Sequence, residues 1–231
     1  MTGAGQADLM RGRFITFEGG EGTGKSTQAV MLADRLKTFG LGVVLTREPG
    51  GSPGAEAIRH VLLSGAAQPL GSHAEAILFA AARDDHVQQL IRPALEDGRW
   101  VVCDRFADST RVYQGILGNV DPRVIRSLER IAVGDTKPDI TCVLDVPVEL
   151  ALKRASTRRG RRTVDRFEAE TLEFHHKLRE AYRELAEREP DRCVLIDASA
   201  RAEVVSDVVW AVVNSRLDPS SAPFIIEGAR S

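Results

Sequence analysis

Cysteine is scarce in this chain of 231 residues, and no apolar run approaches the length needed to span a membrane. The three cysteines, Cys103, Cys142 and Cys193, are odd in number and far apart, which argues against a disulfide framework, and no Cys/His spacing points to zinc. Each lies in or beside a short strand-like apolar run, so they read as reduced, buried small hydrophobes. A charge excess is missing too. The net charge of −2 gives no global attraction to nucleic acid or an anionic membrane, so any basic patch is local. Residues 1–12 are small and polar without the apolar core of a secretory signal and read as a disordered tail. The cytoplasm is the expected location. His175 and His176 are adjacent and face different ways on a helix, where solvated positions are expected for them. The apolar fraction of 43% and charged fraction of 28% are ordinary for a soluble enzyme.

What the chain does have is alternation. β-prone runs at Arg13–Glu18, Gly42–Arg47, Arg99–Asp104, Asp139–Asp145 and Arg192–Asp197 are separated by helical patterns. These helices are expected at Lys25–Phe39, Ala55–Ser64, His73–Asp97, Asp108–Leu117, Pro122–Val133, Val148–Thr157, Arg166–Glu189 and Ala202–Leu217. The pattern predicts an α/β fold with a parallel sheet, whose ligands bind beyond the carboxyl ends of the strands. Glu18, Arg47, Asp104 and Asp145 place charge at that edge. No internal repeat or interior linker appears, and 218–231, holding Pro, Ser and Gly, reads as a loosely attached tail.

Residues 19–26, Gly-Gly-Glu-Gly-Thr-Gly-Lys-Ser, match the phosphate-binding P-loop, and they lie where its physics requires, between a strand end and a helix start. Gly19, Gly22 and Gly24 let backbone N–H groups turn inward around phosphate oxygens. Lys25 can reach the β- and γ-phosphates, and Ser26 can offer a hydroxyl to Mg²⁺. Asp104, at a strand end and followed by Arg105, is the better acidic partner for the metal, with Asp145 the competitor. Thr46-Arg47-Glu48-Pro49-Gly50-Gly51 is a turn after a strand, and Arg59 beyond it is a second phosphate ligand candidate. Phe79 and Arg83 are i and i+4 on a helix. On its own such a pair reads as a core Phe beside a surface Arg, although ring and guanidinium together can also bind a nucleobase. The arginine-dense stretch Arg158-Arg159-Gly160-Arg161-Arg162-Thr163-Val164-Asp165-Arg166 reads as a lid over phosphates.

Together these stretches resemble the thymidylate kinase family: Phe17 to Ser26, Thr46 to Gly51, Phe79 to Arg83, Asp104 to Thr110 with Tyr113-Gln114-Gly115, then Pro138-Asp139, Leu144-Asp145 and Asp165-Arg166. The resemblance covers about Arg13 to Leu217. It implies a three-layer P-loop fold, with a five-stranded parallel sheet flanked by helices, forming one kinase domain over 13–217 with a lid at about 158–166. It implies ATP and Mg²⁺ as cofactors, the nucleotide dTMP as substrate, and a homodimer, with no nucleic acid polymer or membrane as partner. By resemblance, the P-loop residues Gly19, Gly20, Glu21, Gly22, Thr23, Gly24, Lys25, Ser26 and Thr27 hold ATP, with Ser26 and Asp104 at the metal. Phe79 stacks on thymine and Arg83 bonds a base carbonyl. Thr110 meets the pyrimidine edge, Tyr113 crowds the 2′ position and Glu21 meets the 3′-hydroxyl. Arg59 and Arg105 clamp the acceptor phosphate, and Glu48, Pro49 and Ser109 complete the substrate set. The catalytic group is Lys25, Asp104, Arg105 and, because no arginine stands inside the P-loop, a lid arginine. Arg158 is the first choice for it, ahead of Arg161, Arg162 and Arg166. The rival functions are a kinase for another pyrimidine monophosphate or a deoxynucleoside, a nucleotide-dependent switch ATPase, and a nucleic-acid binder built on the arginine loop.

Overall fold

The structure, a computed structural model, describes residues 11–159 and 170–222. Five parallel strands form one sheet in the order β2-β3-β1-β4-β5: β1 Phe14–Glu18, β2 Val43–Arg47, β3 Trp100–Asp104, β4 Ile140–Asp145 and β5 Cys193–Asp197. Each starts within a residue of its expected position, because strands covered on both faces are continuous apolar runs with sharp polar ends. The three central strands are buried almost throughout, while β2 and β5 at the edges are partly exposed. Side chains alternate between two cores. Ile15, Phe17, Trp100 and Val102 face Leu32 and Leu36 of α1 (Lys25–Thr38) and Val205 and Val209 of α9 (Ala202–Leu217). Phe14, Val101 and Cys103 face the other way, toward Ile91, Leu95 and Phe106. All three cysteines are free and buried.

β1 lies at the centre. The chain leaves it for the edge strand β2, returns to β3 beside it, and then crosses to β4 on its other flank. That reversal opens a crevice at the carboxyl ends of β1 and β3, with Phe17 paired to Asp104 and Asp104 to Arg47 across the ladder. Helices α2 (Pro53–Leu63) and α3 (Gly71–His86) wall one side.

The single helix expected over 73–97 is continuous but not uniform. After α3 a π-helical stretch, Val87–Ile91, leads into α4 (Arg92–Glu96), and the Arg92 N–H reaches back five residues to Val87. Pro93 lacks an N–H and its ring would clash with a regular turn, so the wider turn before it lets the helix pass. A second π-helical stretch, Arg111–Leu117, follows the short α5 (Ala107–Thr110). Further on lie α6 (Pro122–Ala132), α7 (Val148–Arg159) and α8 (Leu172–Arg188). Most of the arginine-dense stretch, 160–169, lies outside the described residues, as do 1–10 and 223–231. Pro219 is buried and Ala222 packs on the larger core.

The expected solvation holds for His176 and is corrected for His175. His176 is exposed, but His175 is buried on α8, its ring edge-to-face with Phe174 at 5.7 Å between centroids and its Nε2 without a hydrogen-bond partner among the described residues. Adjacent positions do face apart, and here one of the two faces points at the core. Burial holds the His175 imidazole below its ordinary pKa, in the neutral form.

At the end of β4, Asp145 accepts from Arg179 (2.7 and 2.9 Å) and Arg183 (2.9 Å), tying α8 to the sheet. Hydrogen bonding from Arg179 is the main cause that holds its carboxyl below the usual 3.8. A depressed folded-state pKa stabilises above the unfolded value and is lost as pH falls through the lower folded value. Asp145→Asn is therefore expected to lower unfolding free energy by about 1 kcal/mol at pH 7, with the deficit shrinking below pH ~4. Urea unfolding at both pH values reads this, and a deficit undiminished at low pH would contradict the ion-pair account.

Candidate active site

The loop after β1 takes the backbone shape that its glycines allow. Gly19, Gly22 and Gly24 have φ of 134°, 72° and 96°, in the region that side chains disfavour. Space is closed as well at two of them. A Cβ on Gly19 would lie 2.5 Å from the Leu144 carbonyl oxygen, and one on Gly22 would lie 1.9 Å from that of Ala151 on α7. Thr23 Oγ1 donates to the Gly20 carbonyl at 3.0 Å. Lys25 is buried and bends back to donate to the carbonyls of Gly19 (3.1 Å) and Gly20 (2.7 Å). Burial, then the nearby Arg105 charge, lower its pKa to about 8.

Ser26, at the start of α1, donates its hydroxyl to Asp104 Oδ2, while Asp104 Oδ1 is buried with no hydrogen-bond partner among the described residues. Among the described residues no cluster of three or more acidic, His or Cys side chains could enclose a metal. One carboxylate with an unused oxygen beside one hydroxyl is instead the partial donor set that suits Mg²⁺, which keeps waters and takes phosphate oxygens for its remaining positions. The pair fits that ion. Asp145, the competing acid, is engaged by Arg179 and Arg183.

Arg105 stands in the left-handed region, φ 69°, at the turn after β3. Its Nη1 donates to the Gly19 carbonyl (3.1 Å), Ser109 Oγ (3.3 Å) and Tyr182 Oη (3.4 Å). Its Nη2 donates to Glu21 and to Tyr113 Oη (3.3 Å). Glu18, wholly buried just before the loop, is the anchor of this arrangement. It accepts from the N–H groups of Phe106 (2.8 Å) and Ser109 (3.1 Å), from Ser109 Oγ (2.7 Å) and from Tyr182 Oη (2.9 Å). Burial, then the Asp108 charge, push its carboxyl above the ordinary value.

At the other end of the cleft, Phe79 is half-buried and lines the wall while Arg83 is buried. This reverses the isolated-pair reading, and the reason is an anion the helix does not contain. Glu48 from the loop after β2 accepts from Arg83 Nε at 2.8 Å. Arg83 Nη2 donates to the Phe106 carbonyl (3.1 Å) and Thr110 Oγ1 (3.2 Å). Arg59 donates to the Pro49 carbonyl at 2.5 Å. The whole cleft encloses about 210 Å³. It gathers Glu21, Gly22, Gly24, Lys25 and Ser26 with Glu48, Pro49, Arg59, Phe79, Arg83, Asp104, Arg105, Ser109, Thr110 and Tyr113. Of the other expected site residues, Gly19, Gly20 and Thr23 border a small cavity of about 20 Å³ behind the loop. Thr27 opens onto a second cleft of about 470 Å³, with Gln28, Arg154, Ala198, Arg201 and Val205 on its walls. Arg158 falls in the last turn of α7, and its side chain lies outside what is described, with Arg161, Arg162 and Arg166.

Sequence reasoning passed over Glu18, Arg154 and Gln114. Gln114 was visible only as part of a matching motif, yet it is buried on the cleft wall. Arg154 donates to the carbonyls of Ala198 (2.7 Å), Ser199 (2.6 Å) and Ala200 (3.1 Å), pairings that no local pattern announces. Glu18 was read only as one of the charges at the sheet's carboxyl edge, and its signal was an acid ending a strand that is buried throughout.

Comparison with known proteins places these features in company. A family model described as thymidylate kinase matches residues 17–209. The chain is 62% identical over 211 residues to a thymidylate kinase from Nitrobacter winogradskyi, covering 91% of this chain and 92% of that one. It is also 62% identical over 207 residues to one from Bradyrhizobium sp. (strain ORS 278), covering 90% and 92%. Among solved structures, a thymidylate kinase from Ehrlichia chaffeensis superposes with a TM-score of 0.71 at 34% identity, over 88% of this chain and 99% of that one.

Proposed function

We propose which residues carry the reaction of the thymidylate kinase family, to which this chain belongs. The chain phosphorylates dTMP to dTDP with ATP and Mg²⁺, a step in dTTP synthesis. The observation that supports the assignment best is the position of Arg105. Its guanidinium touches the P-loop through Gly19 and Glu21, and the nucleotide pocket through Ser109 and Tyr113. A cation there meets both phosphates.

The acceptor phosphate is already an anion, so no strong general base is required, and the difficulty is to bring two polyanions together. Lys25, Arg105 and Arg59 offset that repulsion from buried or half-buried positions, where fixed charges act with little screening. Lys25 and Arg105 rest on loop carbonyls and on Glu21. Phosphate oxygens replace those acceptors, and the loop's backbone N–H groups join them. Ser26 and Asp104 would hold Mg²⁺, which would supply neutralisation of phosphate charge. Arg158 supplies a further cation to the transferring group. It lies three residues beyond Ala155, which packs with Ala151 against Gly22. Phe79 stacks on thymine, while Arg83 and Thr110 read its edge. Tyr113 crowds the 2′ position and Glu21 takes the 3′-hydroxyl. Glu48 and Pro49 act by holding Arg83 and Arg59. The donor's base goes to the second cleft, beside Thr27, Gln28 and Arg154.

The partner is a second copy of this chain, with no nucleic acid polymer and no membrane. Val61 on α2, Ile77 on α3 and Ile131 on α6 are 40%, 56% and 71% exposed, with α2 and α6 both packed against α3, a surface suited to self-association. No helix among the described residues is long and apolar enough to cross a membrane. The reduced, buried cysteines suit the cytoplasm.

Coupled ADP-release assays with dTMP, dUMP, the ribonucleotide TMP, dCMP, thymidine and no acceptor are expected to show strong turnover with dTMP alone. In the same assay Phe79→Ala is expected to raise KM for dTMP roughly 10- to 100-fold with little change for ATP; equal effects on both substrates would make Phe79 a packing residue. Arg158→Ala is expected to lower kcat by ~10³ with KM for dTMP nearly unchanged, and a normal kcat would move the role to a neighbouring arginine. Ile77→Glu combined with Ile131→Glu is expected to halve the mass seen by light scattering, and an unchanged mass would place the interface elsewhere.

A further inference from the structure

Behind the base end of the cleft, the buried Glu48–Arg83 contact continues to a histidine that the mechanism above does not use. His86 lies on α3, one turn beyond Arg83, and is 0% exposed. Its Nε2 is 2.8 Å from Thr46 Oγ1 near the end of β2, and its Nδ1 is 3.1 Å from Glu48 Oε1. The other oxygen of Glu48 accepts from Arg83 Nε at 2.8 Å. A carboxylate oxygen can only accept, so Nδ1 carries a proton in either charge state of the ring, and in the neutral ring Nε2 accepts from the Thr46 hydroxyl. The turn makes room for this ring. A Cβ on Gly51 would lie 2.3 Å from His86 Nε2 and 2.5 Å from Thr46 Oγ1.

The consequence falls on Arg83. Nε is taken by Glu48, and both Nη2 hydrogens by the Phe106 carbonyl and Thr110 Oγ1. Nη1 has no hydrogen-bond partner among the described residues, and Arg83 borders the cleft. Of the five N–H groups on a planar fork, three are fixed by the protein and two are left for a ligand. The plane of the fork is set by Glu48, and the Glu48 carboxylate is kept from rotating by His86. Without the Nδ1–H, one buried carboxylate oxygen would lose its donor and the pair would settle into another geometry.

We propose that His86 is a positioning residue for acceptor selection: its Nδ1–H holds the Glu48 carboxylate so that Arg83 presents Nη1 to the base, favouring a pyrimidine with a carbonyl over one with an amine at that edge. This rests on the assignment of Arg83 to the base. A guanidinium offers donors only, so it accepts a thymine carbonyl and opposes the amine that cytosine carries in its place. Selectivity between two pyrimidines is thus controlled from one turn behind the residue that touches them.

Three His86 variants and Arg83→Ala, assayed with dTMP and dCMP, test this. An Asn side chain places an amide N–H near Nδ1, Gln places one nearer Nε2, and Leu supplies neither. His86→Leu is expected to raise KM for dTMP ~10-fold, leave KM for ATP within about twofold, and narrow the dTMP-to-dCMP ratio of kcat/KM by a similar factor. His86→Asn is expected to keep both values within about threefold of wild type, with His86→Gln falling closer to Leu. If the Leu variant does not fold, the order of Asn over Gln carries the test. A role limited to core stability would lower Tm in all three and leave KM and the ratio unmoved, and that result overturns the proposal, as does equal behaviour of Asn and Gln. Arg83→Ala separates the two layers. If it leaves the dTMP-to-dCMP ratio intact, the base assignment itself fails. If it abolishes the ratio while a folded His86→Leu keeps it, only the relay through Glu48 fails.

Discussion

The site depends on keeping several positive charges in a small, largely buried cleft before any phosphate arrives. Unpaired, Lys25 and Arg105 would repel each other and each would be costly to desolvate. The fold meets this with acceptors that a substrate can replace. Lys25 leans on two loop carbonyls, and Arg105 on one of the same carbonyls, on hydroxyls and on Glu21. The mutual influence is visible in Lys25, whose pKa burial and Arg105 together lower to about 8. A phosphate beside them opposes both causes, since it supplies the anion that a buried ammonium and guanidinium need.

That arrangement needs a rigid frame, and Glu18 provides it. Four donors converge on one buried carboxylate, two of them backbone N–H groups at the start of α5. The same short segment supplies Arg105 before it and Ser109, Thr110 and Tyr113 after it. Glu18 therefore fixes the distance between the P-loop it precedes and the pocket wall it caps. The glycines close the frame from the other side. Gly19 and Gly22 pass so close to the Leu144 and Ala151 carbonyls that any side chain would push the loop off β4 and α7. Positive φ and steric contact coincide there, so the loop is held by packing as much as by backbone preference.

The sequence made the architecture legible because its signals are local. Parallel strands buried on both faces are short apolar runs, and their ends were placed within a residue. The P-loop was legible for the same reason, since its function lies in its own backbone. What escaped depends on contacts across the chain. The Phe79–Arg83 pair looks like core and surface until Glu48, 35 residues away, is brought beneath the guanidinium. His175 and His176 are equivalent in composition, and only the placement of α8 against the loop decides which is buried. The uniform helix expected over 73–97 ignored how Pro93 is accommodated. Asp104 is preferred over Asp145 on the local signal that Arg105 follows it, and the partners of Asp145, Arg179 and Arg183, lie 34 and 38 residues away, where no local pattern shows them.

The two ends of the cleft solve opposite problems, and the fold separates them accordingly. At the phosphate end the cations must let go of their internal partners, so those partners are carbonyls, hydroxyls and a carboxylate on a loop. At the base end the cation must not move, because a guanidinium free to rotate would meet an amine and a carbonyl alike by bringing or withholding its donors. Arg83 is accordingly placed deeper, 3% exposed, and fixed through Nε and Nη2 by partners from the β2 loop and α5. Depth alone would not give direction, since Glu48 could turn with the arginine it holds. A second constraint from an element that does not move with the loop removes that freedom, and α3 supplies both Arg83 and His86 on a single rigid axis. Selectivity then follows from how these groups hold one another. It is built into the angle at which one helix meets one turn.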